Sequence, residues 1–128
     1  MLYPERKVLA VTGDGGFMMN CQEIETAVRM NVPIVVLVMR DDSYGLIKWK
    51  QDDRFGDHCF VDFTNPDFVK MAESMHAVEL RVDKTEDLKD VLEQAFASGK
   101  VCIIDCPVDY AENTKLTEHL KQMIAELE

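Results

Sequence analysis

Short apolar runs alternate along the chain with stretches of mixed polarity. Lys7-Val-Leu-Ala-Val-Thr12, Ile34-Val-Val-Leu-Val-Met39 and Val101-Cys-Ile-Ile-Asp105 have strand length and are rich in β-branched residues. The second run is apolar at successive positions, which suits a central parallel strand covered on both faces. Another strand is expected near Ala77 to Val82. Between these runs the period changes. Asn20 followed by Glu23 forms a capping-box pattern, opening a helix with Ile24, Ala27 and Val28 on one face and an end near Asn31 to Pro33. Asn65-Pro66-Asp67 reads as a second helix start, with Asn as the cap and Pro in the first turn. Thr85 is expected to cap the clearest helix, in which Leu88, Val91, Leu92, Ala95 and Phe96 recur at helical spacing until Gly99. Leu116, Leu120, Ile124 and Leu127 make a seam on a C-terminal helix. Leu46 to Thr64 shows no regular period. The alternation predicts one α/β domain over residues 1–128, with a mainly parallel sheet flanked by helices.

Composition narrows what such a domain does. The 128 residues carry 14 basic and 24 acidic side chains, a net charge of −10. That surplus repels phosphate backbones and argues against nucleic acid as a partner. No apolar run approaches the roughly 20 residues that span a bilayer. The N-terminal apolar run is cut off at Gly13 and Asp14 with no cleavage site after it, so a cytoplasmic location is expected. Cys21, Cys59, Cys102 and Cys106 form no CxxC pair and have no histidine at zinc spacing, so Cys102 and Cys106 read as small buried hydrophobes. His58, His76 and His119 are scattered, and each reads as a surface or packing residue.

Candidate chemistry gathers at two strand ends. In open parallel sheets, ligands bind beyond the carboxyl ends of the strands. Val8 to Thr12 runs into Asp14, and Ile34 to Met39 runs into Asp41. A helix between parallel strands brings both acids to one edge of the sheet. Gly13, Gly15 and Gly16 flank Asp14, permitting a tight turn that offers backbone N–H groups to an anion. Two carboxylates suit a hard cation such as Mg²⁺, which fills its other positions with water and substrate phosphate. Glycines beside a carboxylate pair thus suggest a metal-bridged phosphate site. A phosphoacceptor receiver domain is also α/β and rich in aspartate at strand ends. It needs a lysine directly after its last strand, where this chain has Cys106-Pro107-Val108-Asp109.

At these residues the sequence resembles a known family. Gly13-Asp14-Gly15-Gly16-Phe17-Met18-Met19-Asn20, a helix with Gln22-Glu23, an apolar strand and then Asp41-Asp42-Ser43-Tyr44-Gly45 resemble the thiamine-diphosphate motif. Gly45-Leu-Ile-Lys-Trp49-Lys-Gln51, Asn65-Pro-Asp-Phe-Val-Lys-Met-Ala-Glu-Ser74 and Pro107-Val-Asp-Tyr-Ala-Glu-Asn113 extend the resemblance to the catabolic, FAD-independent type of acetolactate synthase. It covers nearly the whole chain, from Tyr3 to at least Leu120. The resemblance implies thiamine diphosphate and Mg²⁺ as cofactors. Asp14 and Asp41 would bind the metal through carboxylates and Ser43 through its backbone carbonyl. Gly13, Gly15 and Gly16 would serve the diphosphate, Tyr44, Gly45 and Leu46 would lie along the cofactor, and Ile47, Trp49 and Gln51 would sit nearer the substrate pocket. The reaction implied joins two pyruvates into acetolactate with loss of CO₂. Pyruvate oxidase or a 2-oxo acid decarboxylase is the nearest enzymatic alternative, and a non-catalytic, self-associating remnant the other.

Two departures stand out. Asp41-Asp42 puts two carboxylates where relatives often carry amides, adding negative charge beside a diphosphate. Ser74-Met75-His76-Ala77 stands where relatives show a glycine-containing turn. Met18 and Met19, next to the glycines, are the methionines singled out as near a ligand. A complete enzyme of the family is several times longer. Its activating glutamate belongs to a pyrimidine-binding domain that this sequence lacks, so no catalytic residue is assigned. The expectation is an incomplete diphosphate domain, inactive alone, whose open sheet edge recruits partners into a homodimer or larger assembly.

Overall fold

A computed structural model gives the architecture and describes residues 3, 5–110, 115 and 123. Four strands, β1 (Leu9–Gly13), β2 (Val35–Arg40), β3 (Val78–Arg81) and β4 (Cys102–Pro107), form one sheet in the order β1-β2-β4-β3. Every pairing is parallel, with Val11 opposite Leu37 and both Leu37 and Leu80 opposite Ile104. Five helices connect the strands: α1 (Asp14–Met19), α2 (Glu23–Arg29), α3 (Gly45–Phe55), α4 (Phe68–Ser74) and α5 (Leu88–Ala97). The α/β class with a parallel sheet flanked by helices is therefore observed.

Strand alternation sends side chains to two cores. Val36, Val38 and Ile103 face Phe17, Ile24, Phe68 and Ala72 from α1, α2 and α4. Phe17 and Phe68 meet edge to face at 5.5 Å, an arrangement that adds about 1 kcal/mol to simple burial. Val35, Leu37, Cys102, Ile104 and Cys106 face the other way, toward Ala95 and the apolar stripe of α5. Cys102 and Cys106 are free, buried thiols of that core, and burial pushes both above the ordinary thiol value. Among the described residues, no helix is long and apolar enough to cross a membrane.

Several local expectations are corrected. Gly13 to Gly16 is not a free-standing turn: Gly13 ends β1 and Asp14 opens α1 directly. Asn20 closes α1 and makes no side-chain cap for α2. Asn65 does not cap α4; Asp67 does, its Oδ1 accepting from the N–H groups of Val69 and Lys70 at 3.1 and 3.2 Å. Thr85 opens a single 3₁₀ turn ahead of α5, whose start has no side-chain cap. The stretch from Leu46 to Thr64, expected to be irregular, contains α3. It buries no residue fully and interleaves Leu46, Ile47 and Trp49 with charged residues, so there was no apolar stripe to read. Gly56, at φ +73°, ends it in the left-handed conformation. His76 adopts φ +59° in the turn after α4, the left-handed conformation that favours glycine. The seam of Leu116, Leu120, Ile124 and Leu127 lies outside the described residues.

Candidate functional site

Parallel pairing of β1 with β2 puts Gly13 opposite Met39, so the loops after both strands open on the same edge of the sheet. They enclose a cleft of about 420 Å³. Gly13, Asp14, Gly15 and Gly16 form one wall and Asp41, Ser43, Tyr44 and Gly45 the other. Leu46, Ile47 and Trp49 reach it from the first turns of α3. Gln51 does not line it: one turn further along, its Oε1 accepts from the Cys59 N–H at 2.9 Å. Met18 and Met19 are exposed on α1 and are also absent from the lining. Met39 and Tyr110 line the cleft although neither was assigned a role from sequence.

Asp14 is 1% exposed, and both oxygens of its carboxylate accept hydrogen bonds. Oδ1 accepts from the Gly15 N–H at 2.8 Å. Oδ2 accepts three bonds, from the backbone N–H groups of Asp41 at 3.2 Å and Asp42 at 2.8 Å and from Asn65 Nδ2 at 2.6 Å. A carboxylate oxygen offers about two lone-pair directions, so Oδ2 is saturated and Oδ1 keeps one free. Asp41 is less encumbered. Among the described residues its carboxylate accepts from Ser43 alone, at 3.0 Å from the hydroxyl and 3.4 Å from the N–H. Ser43 is buried and bridged to Asp62 on the loop after α3.

Two glycines are set by close approach. A Cβ on Gly15 would lie 2.8 Å from the ring of Tyr44, which packs on Phe63. One on Gly45 would collide with Asp41 Oδ2. The second glycine therefore keeps the Asp41 carboxylate where it stands.

A chain of charges supports the second loop. Arg40 donates from Nε to Asp105 Oδ1 at 2.9 Å and from Nη1 to Asp42 Oδ2 at 3.0 Å. Asp105 is 4% exposed, and its hydrogen bond pushes the Arg40 guanidinium above its ordinary value. Tyr110 is raised too, first by burial and then by the fields of Asp41 and Asp14. Among the described residues no cationic side chain lines the cleft, and neither Asp14 nor Asp41 is in an ion pair there. His58 lies away from it, against Asp52 at 2.7 Å. Among the described residues, no three His, Cys, Asp or Glu side chains converge as a ready-made metal cage.

This fold and cleft define a parallel α/β domain with a carboxylate-lined ligand site at its strand ends. The model of the family described as thiamine pyrophosphate enzyme, C-terminal TPP binding domain, matches residues 1–106, and the chain belongs to that family. It is 43% identical over 116 residues to acetolactate synthase of Bacillus subtilis (strain 168), covering 91% of this chain and 20% of that protein. To the catabolic acetolactate synthase of Raoultella terrigena it is 32% identical over 126 residues, 97% of this chain and 22% of the relative. Pyruvate oxidase of Lactiplantibacillus plantarum is 42% identical over 96 residues, or 74% and 16% of the two chains. The chain thus spans about a fifth of the length of these curated relatives. Thiamine diphosphate, the pyrophosphate ester of thiamine, is the cofactor of the family, with Mg²⁺ its usual partner there.

The residues present fit that pair. A cleft with two carboxylates and, among the described residues, no cationic lining would repel a diphosphate unless a divalent ion offset the charge. Oδ1 of Asp14 and the carboxylate of Asp41 are the oxygens left over for it.

Proposed function

We propose that this chain is the Mg²⁺-dependent diphosphate half-site of an acetolactate synthase-like enzyme, which converts two pyruvates to acetolactate and CO₂. The observation that carries the reading is the pair Asp14 and Asp41 on one cleft whose described lining holds no cationic side chain. Asp14, Asp41 and the Ser43 carbonyl would hold the metal. Gly13, Gly15 and Gly16 would let the diphosphate approach the backbone, and Tyr44, Gly45 and Leu46 would flank the cofactor. Ile47 and Trp49 would face substrate; Gln51, tied to Cys59, would need to turn to join them. The carbanion chemistry is the cofactor's own, and the protein supplies orientation and electrostatics.

Such a half-site works with a pyrimidine-binding domain, and we take that domain as its partner. The isolated chain should therefore bind cofactor without turning over pyruvate. Self-association is the second part of the reading, supported by the exposed apolar residues Val8, Leu9 and Val11 on the β1 edge. Light scattering at micromolar concentration should give a dimer or larger species; a monomer removes that part. The similarity to pyruvate oxidase keeps that reaction as the alternative.

Titration calorimetry tests the core of the reading. Thiamine diphosphate should bind only when Mg²⁺ is present, and the heat should vanish in Asp14→Ala and fall in Asp41→Ala. Binding that ignores Mg²⁺, or none in either condition, leaves a non-catalytic remnant. Acetolactate formed from pyruvate by the isolated chain would show the half-site description to be wrong.

A further inference from the structure

Asn65 lies just before α4, far in sequence from both acidic loops, and one nitrogen of its side chain touches both of them. Nδ2 donates to Asp14 Oδ2 at 2.6 Å and to Asp42 Oδ1 at 2.8 Å. Its other polar atom, Oδ1, is buried without a hydrogen-bond partner. A buried unpaired acceptor is costly, and Asn65 has no capping duty that would explain it, because Asp67 caps α4. What the position supplies is a neutral fork of N–H groups between two carboxylates.

We propose that Asn65 is a positioning residue of the cation half-site. With the Asp41 and Asp42 amides it saturates Oδ2 of Asp14 and so presents Oδ1 to the ligand. It also stands between the like-charged carboxylates of Asp14 and Asp42, donating to both. The side chains that meet this cluster are Arg40, engaged with Asp42 and Asp105, and Ser43, engaged with Asp41. Neither reaches Asp14. A leucine fills the same space without a donor. An aspartate adds a third acid, and a glutamine is one methylene too long. The inference rests on the cation reading of the cleft given above.

The test uses Mn²⁺ with thiamine diphosphate and the full 128-residue chain, reading free Mn²⁺ from its electron paramagnetic resonance signal. Asn65→Leu should weaken Mn²⁺ uptake about 10- to 100-fold, the range seen when groups orienting metal ligands are removed. Asn65→Ser, which keeps one donor on a shorter arm, should fall between Leu and the parent, and it carries the comparison if the leucine variant does not fold. Asp67→Ala is the structural control. It removes the α4 cap two residues away, should lower the Tm, and should leave Mn²⁺ affinity per folded molecule unchanged. Equal affinity in Asn65→Leu and the parent overturns the positioning role. So does a loss no larger per folded molecule than that in Asp67→Ala. A parent chain that takes up neither Mn²⁺ nor cofactor overturns the reading of the cleft itself, and this proposal with it.

Discussion

β1 and β2 lie side by side, run parallel and each lead into a cleft carboxylate, yet they are held very differently. In β2, Val35, Val36, Leu37 and Val38 are 0 to 6% exposed, packed on both faces. In β1, Leu9 and Val11 are 40% and 60% exposed. Asp14 nevertheless is the more buried acid. Its fixity comes from the neighbouring loop, through the N–H groups of Asp41 and Asp42, and from Asn65 ahead of α4. The half-site thus has a firm wall anchored in the core and a second wall hung on it by hydrogen bonds. Packing sets where the site is; polar bonds set how its carboxylates point.

The largest expected effect lies in the core behind the firm wall. Ile104 of β4 is opposite Leu37 and fully buried. Ile104→Ala removes its methyl groups where little can collapse inward, and should cost about 2–5 kcal/mol in denaturant melts. A loss below about 1 kcal/mol would mean that β2 and β4 are not the firm part.

Next is the charge that braces the β2 loop. Arg40→Met leaves Asp105 buried with only Arg81 nearby, at 3.8 Å. Removing one member of a buried pair costs about 3 kcal/mol, and Asp42 is freed at the same time. Chemical denaturation should show that loss together with weaker cofactor binding. Stability lost with binding intact would place the two loops on independent supports and break the comparison.

Gly45→Ala acts on the site more than on the fold. Its Cβ would displace the Asp41 carboxylate, while alanine in a helix is favoured over glycine by about 1 kcal/mol. The two effects offset in stability, so the melt should move little. Mg²⁺-dependent calorimetry should still show affinity falling about tenfold, an estimate taken from other groups that orient metal ligands.

The fold was legible wherever burial leaves a period. Ile34 to Met39 and Val101 to Asp105 announced central strands because both faces are apolar, and parallel pairing then placed Asp14 and Asp41 on one edge. α3 was illegible because Lys48, Lys50, Asp52, Asp53 and Arg54 give it no apolar face to bury. The local signals at Asn20 and Asn65 misled for a related reason. An asparagine before a helix looks like a cap from nearby residues alone. Asn65 spends its amide on Asp14 and Asp42, and no sequence window contains those partners. Tyr110 was quoted in a motif but reaches the cleft only through the sheet order, which returns β4 to the side of β2. The departure at Ser74 to Ala77 was a readable warning, since the backbone takes the left-handed conformation at His76.

The smallest expected effect is the most diagnostic of the loose wall. Val11→Thr keeps the β-branched shape that suits a strand and exchanges one methyl for a hydroxyl. On a side chain already 60% exposed, the change should stay within about 0.5 kcal/mol, and cofactor binding should not move. That holds only if nothing covers the β1 edge. If a second copy or another segment packs there, the hydroxyl is buried without a partner and the loss rises to about 1–3 kcal/mol. In a self-associating chain that loss would also depend on protein concentration, because unfolding is then linked to dissociation. Melts of Val11→Thr at two concentrations therefore separate an open wall from a covered one. A large, concentration-dependent loss would show that β1 gains from a partner the firmness that β2 draws from the core.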